Sequence, residues 1–118
     1  MNELPERRTY PTKENEQMSK ALLTMTNKSF GCVGVINKDK KLIGIITDGD
    51  LRRNMNTNLI NKKASDLMTK KPTIGDQNLL VGEALNIMNN KKITSLFICV
   101  NSKPIGIVHI HDLLRLSS

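Results

Sequence analysis

Leu42-Ile43-Gly44-Ile45-Ile46-Thr47-Asp48-Gly49-Asp50-Leu51-Arg52-Arg53 is the stretch on which the reading of this chain turns. Ile43, Ile45 and Ile46 are β-branched and apolar, which suits a buried strand. Thr47 and Asp48 are residue types that cap helices, and Asp50 falls in a first helical turn. The stretch therefore predicts strand, polar turn and helix. A helix start leaves backbone N–H groups unpaired and carries partial positive charge, so it favours an anion such as phosphate. A carboxylate at Asp50 can accept two hydrogen bonds from a ribose, and Thr47 adds a hydroxyl at the strand end.

The pattern occurs twice. Ile43-Gly44-Ile45 returns as Ile105-Gly106-Ile107, Asp50-Leu51 as Asp112-Leu113, and Arg53 as Arg115, each 62 residues further on. Ala21, Leu22 and Met25 return as Ala84, Leu85 and Met88 at a spacing of 63. One extra residue in an intervening turn accounts for the difference and costs little. A repeat of this kind sets the architecture before any other argument.

Outward from the repeat, residues 1–11 are polar, carry Pro5 and Pro11, and read as a linker or stub. Thr12 is expected to cap a helix with Glu14 and Glu16 in its first turn. Met18, Ala21, Leu22 and Met25 then form an apolar stripe at i, i+3, i+4 and i+7, the pattern of a core face and not of a ligand box. Cys32–Ile36 reads as a strand, 37–41 as a hairpin turn, and 54–61 as an Asn-rich connection. In the second half, 64–68 reads as a helical turn capped at Ser65, and 71–74 as extended around Pro72. Residues 76–78 make a turn. Val81, Ala84, Leu85 and Met88 repeat the stripe, with Lys91 and Lys92 at the helix end. Ser95–Val100 and 105–108 pair as strands, and 113–116 closes the chain as a helix. The predicted division is 12–61 and 62–118. Each half is marginal for independent folding, so one shared core is expected.

The chain has 118 residues, 38% of them apolar, with a net charge of +7. No apolar run approaches the roughly 20 residues of a membrane span, no signal peptide opens the sequence, and a cytoplasmic location is expected. Cys32 and Cys99 lie in apolar settings and read as buried thiols in a reducing compartment. The positive excess comes from Lys28, Lys38, Lys40, Lys41 and the pairs Lys62-Lys63, Lys70-Lys71 and Lys91-Lys92, at turns and helix ends where solvated lysine is ordinary. With 3% aromatics and no Trp, base stacking has little to work with, which argues against nucleic acid.

On these motifs the chain resembles the cystathionine-β-synthase (CBS) domain family, from about Pro11 onward. The resemblance implies an α/β fold of the α+β kind. Two repeats, each a small sheet with flanking helices, would pack about a pseudo-twofold axis, with nucleotide clefts between them. It implies ligand contacts from Thr47 and Asp50 and, in the second copy, from His109 (where a Thr stands in the first) and Asp112. Pro72, Thr73, Ile74, Thr94 and Ser95 follow as further cleft residues. The runs Ala64-Ser65-Asp66-Leu67-Met68-Thr69, Glu83-Ala84-Leu85-Asn86-Ile87-Met88 and His109-Ile110-His111-Asp112-Leu113-Leu114-Arg115 also look like the C-terminal part of the bacterial D-arabinose 5-phosphate isomerases, which supply the precursor of Kdo for lipopolysaccharide. That likeness implies a regulatory fragment joined to a sugar-isomerase domain, with residues 1–11 as the stub. A feedback ligand such as CMP-Kdo would meet its acidic sugar with Arg52, Arg53 or Lys92. A homodimer within a tetrameric parent is implied too, with no required cofactor.

Plainer readings stand beside these. Thr47, Asp50 and Asp112 are also ordinary helix-capping residues. His109 and His111 share a face if both lie on a strand, but two histidines fall short of a closed metal site. No nucleophile stands with a base, and no Gly-x-x-x-x-Gly-Lys loop occurs. Catalysis is therefore not expected of this chain. The alternatives to a ligand sensor are an oligomerisation module with empty clefts or a basic nucleic-acid binder.

Overall fold

The computed structural model describes residues 4–28, 31–55 and 58–117. Two expected segments, 1–11 and 54–61, thus fall partly outside the described residues. The chain forms two compact units. The first is Tyr10–Pro72, and the second joins the described part of Met1–Thr9 to Thr73–Ser118.

In the first unit, strands β1 (Thr12–Lys13), β2 (Cys32–Ile36), β3 (Leu42–Thr47) and β4 (Thr69–Lys70) form a sheet in that order. β1 runs parallel to β2, and the other pairs are antiparallel. Helices α1 (Met18–Lys28), α2 (Asp48–Arg53) and α3 (Ala64–Leu67) accompany it. In the second unit β5 (Ile74–Asp76), β6 (Ser95–Val100) and β7 (Lys103–His109) form the sheet, with helices α4 (Val81–Lys91) and α5 (Ile110–Ser117). β5 pairs parallel with β6, as β1 does with β2. Both hairpins bulge at matching positions: the register shifts between Val35 and Ile36 in one and between Ile98 and Cys99 in the other. The repeat is therefore structural down to its irregularities.

Each helical stripe is buried. Met18, Ala21 and Met25 pack with Val33, Val35, Ile46, Ala64 and Leu67 in the first unit. Val81, Ala84 and Met88 pack with Leu96, Ile98, Val108, Leu113 and Leu4 in the second. Each unit thus has a core of its own. Each stripe covers its own sheet, and each core also takes a leucine from outside the stripe and hairpin, Leu67 at the end of α3 or Leu4 in the N-terminal segment. Cys32 and Cys99 are buried thiols outside any disulfide, and burial raises the Cys99 thiol above its ordinary range. No helix among the described residues is long and apolar enough to cross a membrane.

Several local expectations are corrected. Thr12 does not cap a helix. It is buried and pairs with Val35 as an edge strand, and α1 begins only at Met18. Ser65 does not cap α3; the Asp66 carboxylate instead accepts the Lys63 N–H at 3.0 Å. Lys71 is not extended but left-handed, at φ 54°. Residues 4–9 are not a linker: Leu4 is buried, and Arg7 exchanges two backbone hydrogen bonds with Ile107, at 2.7 and 2.9 Å. They are the counterpart of 66–71. Arg7 lies against Ile107 as Thr69 lies against Ile45, 62 residues on in both cases.

Turn chemistry closes the elements. The Asn37 side chain accepts the Asp39 and Lys41 N–H groups at 2.9 and 3.0 Å. Asn101 and Ser102 both have positive φ, as a two-residue hairpin with matching strand twist requires. Lys92 ends α4 in the left-handed conformation, φ 56° and ψ 46°. An L-residue there is strained by about 1–2 kcal/mol, whereas glycine gives back about 0.5–1 kcal/mol in unfolded-state entropy. Lys92→Gly should therefore stabilise the second unit by up to about 1 kcal/mol, read as a higher urea midpoint with unchanged slope.

Candidate functional site

In the first unit the strand β3 delivers Thr47 to the start of α2, and the backbone there turns extended (φ −116°, ψ 170°). Thr47 is the N-cap: its hydroxyl accepts the Asp50 N–H at 3.3 Å, while Asp50 Oδ2 accepts the Thr47 N–H at 2.8 Å. This reciprocal capping box satisfies two N–H groups that the helix cannot. Asp50 Oδ2 also lies 3.1 Å from the Thr47 hydroxyl. Its other oxygen, Oδ1, accepts the Thr69 hydroxyl at 2.9 Å and forms an ion pair with Arg53. Asp50 is thus 4% exposed with both oxygens engaged, and the capping and binding readings meet in one carboxylate. Of its partners, the Arg53 side chain is 67% exposed, so it is the one an incoming group can displace. The remaining candidate of this unit, Pro72, is half-buried.

In the second unit Asp112 occupies the matching place and is 9% exposed. Arg7 grips it with two hydrogen bonds, Nε to Oδ2 at 2.7 Å and Nη2 to Oδ1 at 2.9 Å. Arg115 lies 3.5 Å from Oδ1. The Arg7 hydrogen bonds, reinforced by the charges of Arg7, Arg115 and His109, hold the carboxyl below its ordinary value despite the opposing effect of burial. A depressed carboxyl stabilises the fold above its ordinary value of 3.8, and that contribution disappears as pH falls through the depressed value. Asp112→Asn should therefore flatten the acid limb of the stability profile below pH 3.8 and leave the neutral region little steeper or flatter, as acid titration followed by circular dichroism would register.

His109 takes the place of Thr47. It ends β7, and its Nδ1 accepts the His111 N–H at 3.3 Å. Burial and the neighbouring charge of His111 lower its pKa, which keeps that nitrogen available as an acceptor. The two rings stack, with centroids 4.9 Å apart and planes 29° from parallel. They do so across the strand–helix junction and not along one strand, because α5 starts at Ile110. Ser95 pairs with His109 across the sheet, and its hydroxyl is buried with no hydrogen-bond partner among the described residues. The Thr94 carbonyl accepts the Ile110 N–H at 2.9 Å. Ser95, Thr94, His109 and Asp112 therefore meet at one end of the β6–β7 hairpin. Thr73 is half-buried at the entry to β5, and Ile74 pairs with Phe97, two residues along β6 from Ser95. Among the described residues no group of three or more His, Cys, Asp or Glu side chains is placed to hold a metal.

Arg7 and Thr69 are the residues that sequence reasoning missed. The signal was present: Pro11-Thr12 and Pro72-Thr73 recur 61 residues apart, so each repeat starts before its proline and not after it.

A model of the CBS domain matches residues 3–57 and 64–118. Arabinose 5-phosphate isomerase KdsD of Yersinia pestis is 40% identical over 97 residues, 80% of this chain and 30% of that protein. A Rickettsia prowazekii protein is 44% identical over 103 residues, 87% of this chain and 32% of its own length. The chain thus spans about a third of the curated relatives it matches. The crystal structure of CBSX2 in complex with AMP superposes with a TM-score of 0.79 at 20% identity, covering 98% of this chain and 91% of that one.

Proposed function

The chain belongs to the CBS-domain family and carries two copies of the domain, and from that premise we propose that it is a regulatory module whose carboxylates Asp50 and Asp112 take the sugar hydroxyls of a nucleotide or nucleotide sugar. The observation that carries this reading is the duplicated site. Two buried carboxylates stand at the same point of two strand–turn–helix units, each paired with an arginine side chain that is at least 47% exposed. A ribose diol can replace such a guanidinium, on both oxygens at Asp112 and on Oδ1 at Asp50, and charged acceptors make these hydrogen bonds the stronger kind. The relative crystallised with AMP gives the ligand class a precedent. Thr73, Ile74, Thr94 and Ser95 are the further contacts in this proposal.

The likeness to KdsD extends it. The module would serve a sugar-phosphate isomerase acting on D-arabinose 5-phosphate, in a cytoplasmic enzyme assembled from dimers. Its ligand would be the pathway's nucleotide sugar, CMP-Kdo, with the acidic sugar held by Arg52, Arg53 or Lys92. Regulation then requires that the ligand favour one arrangement of the protein over another.

The rival reading, a structural module without a ligand, also has an observation on its side: the protein itself already satisfies both carboxylates. A thermal-shift panel of CMP-Kdo, CMP, AMP and ATP separates the two. A nucleotide at about 100 times its Kd should stabilise the native state by about 2.7 kcal/mol, a rise of roughly 10–20 °C in the Tm of the unit that binds it. No rise with any of the four would leave the structural module. A nucleic-acid binder would instead show steep salt dependence with any oligonucleotide.

A further inference from the structure

Resting on that reading of the carboxylates, we infer that Arg7 is an intramolecular occupant of the Asp112 position, so that a ligand reaches the second carboxylate only by lifting the N-terminal segment's guanidinium off it. The first unit supplies the comparison. Thr69 and Arg7 are structural counterparts, each on the outer edge of its hairpin, against Ile45 and Ile107 respectively. Met68 and Glu6, the residues just before them, crowd Gly44 and Gly106 in the same way. At this shared position the first unit has a short hydroxyl that makes one hydrogen bond to Asp50. The second unit has a guanidinium that engages both oxygens of Asp112. The two sites are therefore unequal at this position: each carboxylate has an arginine three residues on along its own helix, and Asp112 alone carries a second guanidinium, that of Arg7, among the described residues.

The exposures indicate which partner yields. The Arg7 side chain is 47% exposed and that of Asp112 10%, so the carboxylate stays fixed while the arginine swings. The segment itself has other anchors, the buried Leu4 side chain and the two backbone hydrogen bonds to Ile107. Losing the ion pair therefore loosens residues 4–9 without expelling them. Coupling of this kind is reciprocal. Whatever factor the Arg7–Asp112 pair adds to docking of the segment is the factor by which a docked segment weakens a ligand at Asp112. Ligand at the second site is thereby felt at residue 7, in the backbone that leads into the first unit.

The test is an NMR titration of the whole chain with AMP and with CMP. The Ser95, His109 and Asp112 amides report on the second unit, and the Thr47 and Asp50 amides on the first. Arg7→Ala should tighten binding at the second unit by about threefold or more, the upper part of the range for a half-exposed ion pair. It should leave the first unit's affinity unchanged. Arg7→Lys, which keeps charge but not the two-pronged grip, should fall between. Equal affinity at the second unit in wild type and Arg7→Ala would overturn the inference while the nucleotide reading stood. If neither nucleotide moves any of these amides in either protein, the nucleotide reading falls instead, and hydrogen exchange decides the latch. The Ile107 amide, bonded to the Arg7 carbonyl, should exchange about threefold faster or more in Asp112→Asn, and an unchanged rate would overturn it.

Discussion

Gly44→Val should destabilise the first unit by about 2–4 kcal/mol, the sum of an overpacked contact and a lost hydrogen bond. A Cβ at residue 44 would lie 2.5 Å from Met68 Sδ, 2.8 Å from its Cγ and 2.9 Å from its Cβ. A thioether tip can swing aside, but the Met68 Cβ is tied to the backbone. Relief therefore means moving the chain that leads into β4. That strand is two residues long and pairs through Gly44–Lys70 and Ile45–Thr69. Lifting it also withdraws the Thr69 hydroxyl from Asp50. Urea unfolding of the variant should show a lower midpoint with the slope retained. Gly106→Val is the internal control. Its nearest neighbours are Glu6 Oε1 at 2.6 Å and Glu6 Cβ at 3.1 Å; the first is the end of a long side chain and moves cheaply. A smaller loss is expected there, and a loss larger than at Gly44 would mean that the N-terminal segment is held more rigidly than its contacts imply.

The contrast between those glycines shows what could be read from the sequence alone. Period-two and period-3.6 patterns located the hairpins and the two long helices, because burial of one face against one sheet is a local property of spacing. Cys32–Ile36 and Ser95–Val100 stand where the pattern placed them. The stripes Met18–Met25 and Val81–Met88 are buried. What escaped was exchange between distant segments. Leu4 is a single apolar residue in polar surroundings, and Leu67 sits in a four-residue helix too short to show a periodicity. The pairing of Arg7 with Ile107 spans most of the chain. Thr12 carries the chemistry of a cap, yet a buried strand edge beside Val35 outweighed that local preference. The carboxylate site was half legible for the same reason. Thr47 and Asp50 are three residues apart and signal a capping box, whereas Thr69 and Arg7 come to their carboxylates only through tertiary pairing.

Asp50→Ala should cost the first unit about 2–3 kcal/mol, combining a lost capping box with the charged hydrogen bond from Thr69. For a unit of this size that is a fall of roughly 10–20 °C in the Tm of its transition, taking about 4–8 °C per kcal/mol. The reason is that Asp50 serves the fold first. It closes the start of α2 through the Thr47 N–H, it ties β4 to that helix through Thr69, and at 4% exposure its removal leaves the partners without ready access to water. An alanine at residue 50 that abolished a nucleotide-induced shift would therefore confound two causes. Arg53→Ala separates them. That side chain is 67% exposed, so its loss should change stability by no more than about 1 kcal/mol. If a ribose diol competes with the guanidinium for Asp50, Arg53→Ala should tighten nucleotide binding in the first unit. If Arg53 instead holds the ligand's phosphate, binding should weaken. A calorimetric titration with AMP returns opposite signs for the two. An unchanged affinity beside an intact fold would mean that ligand and arginine never meet, and that the carboxylate of the first unit is a structural clasp alone.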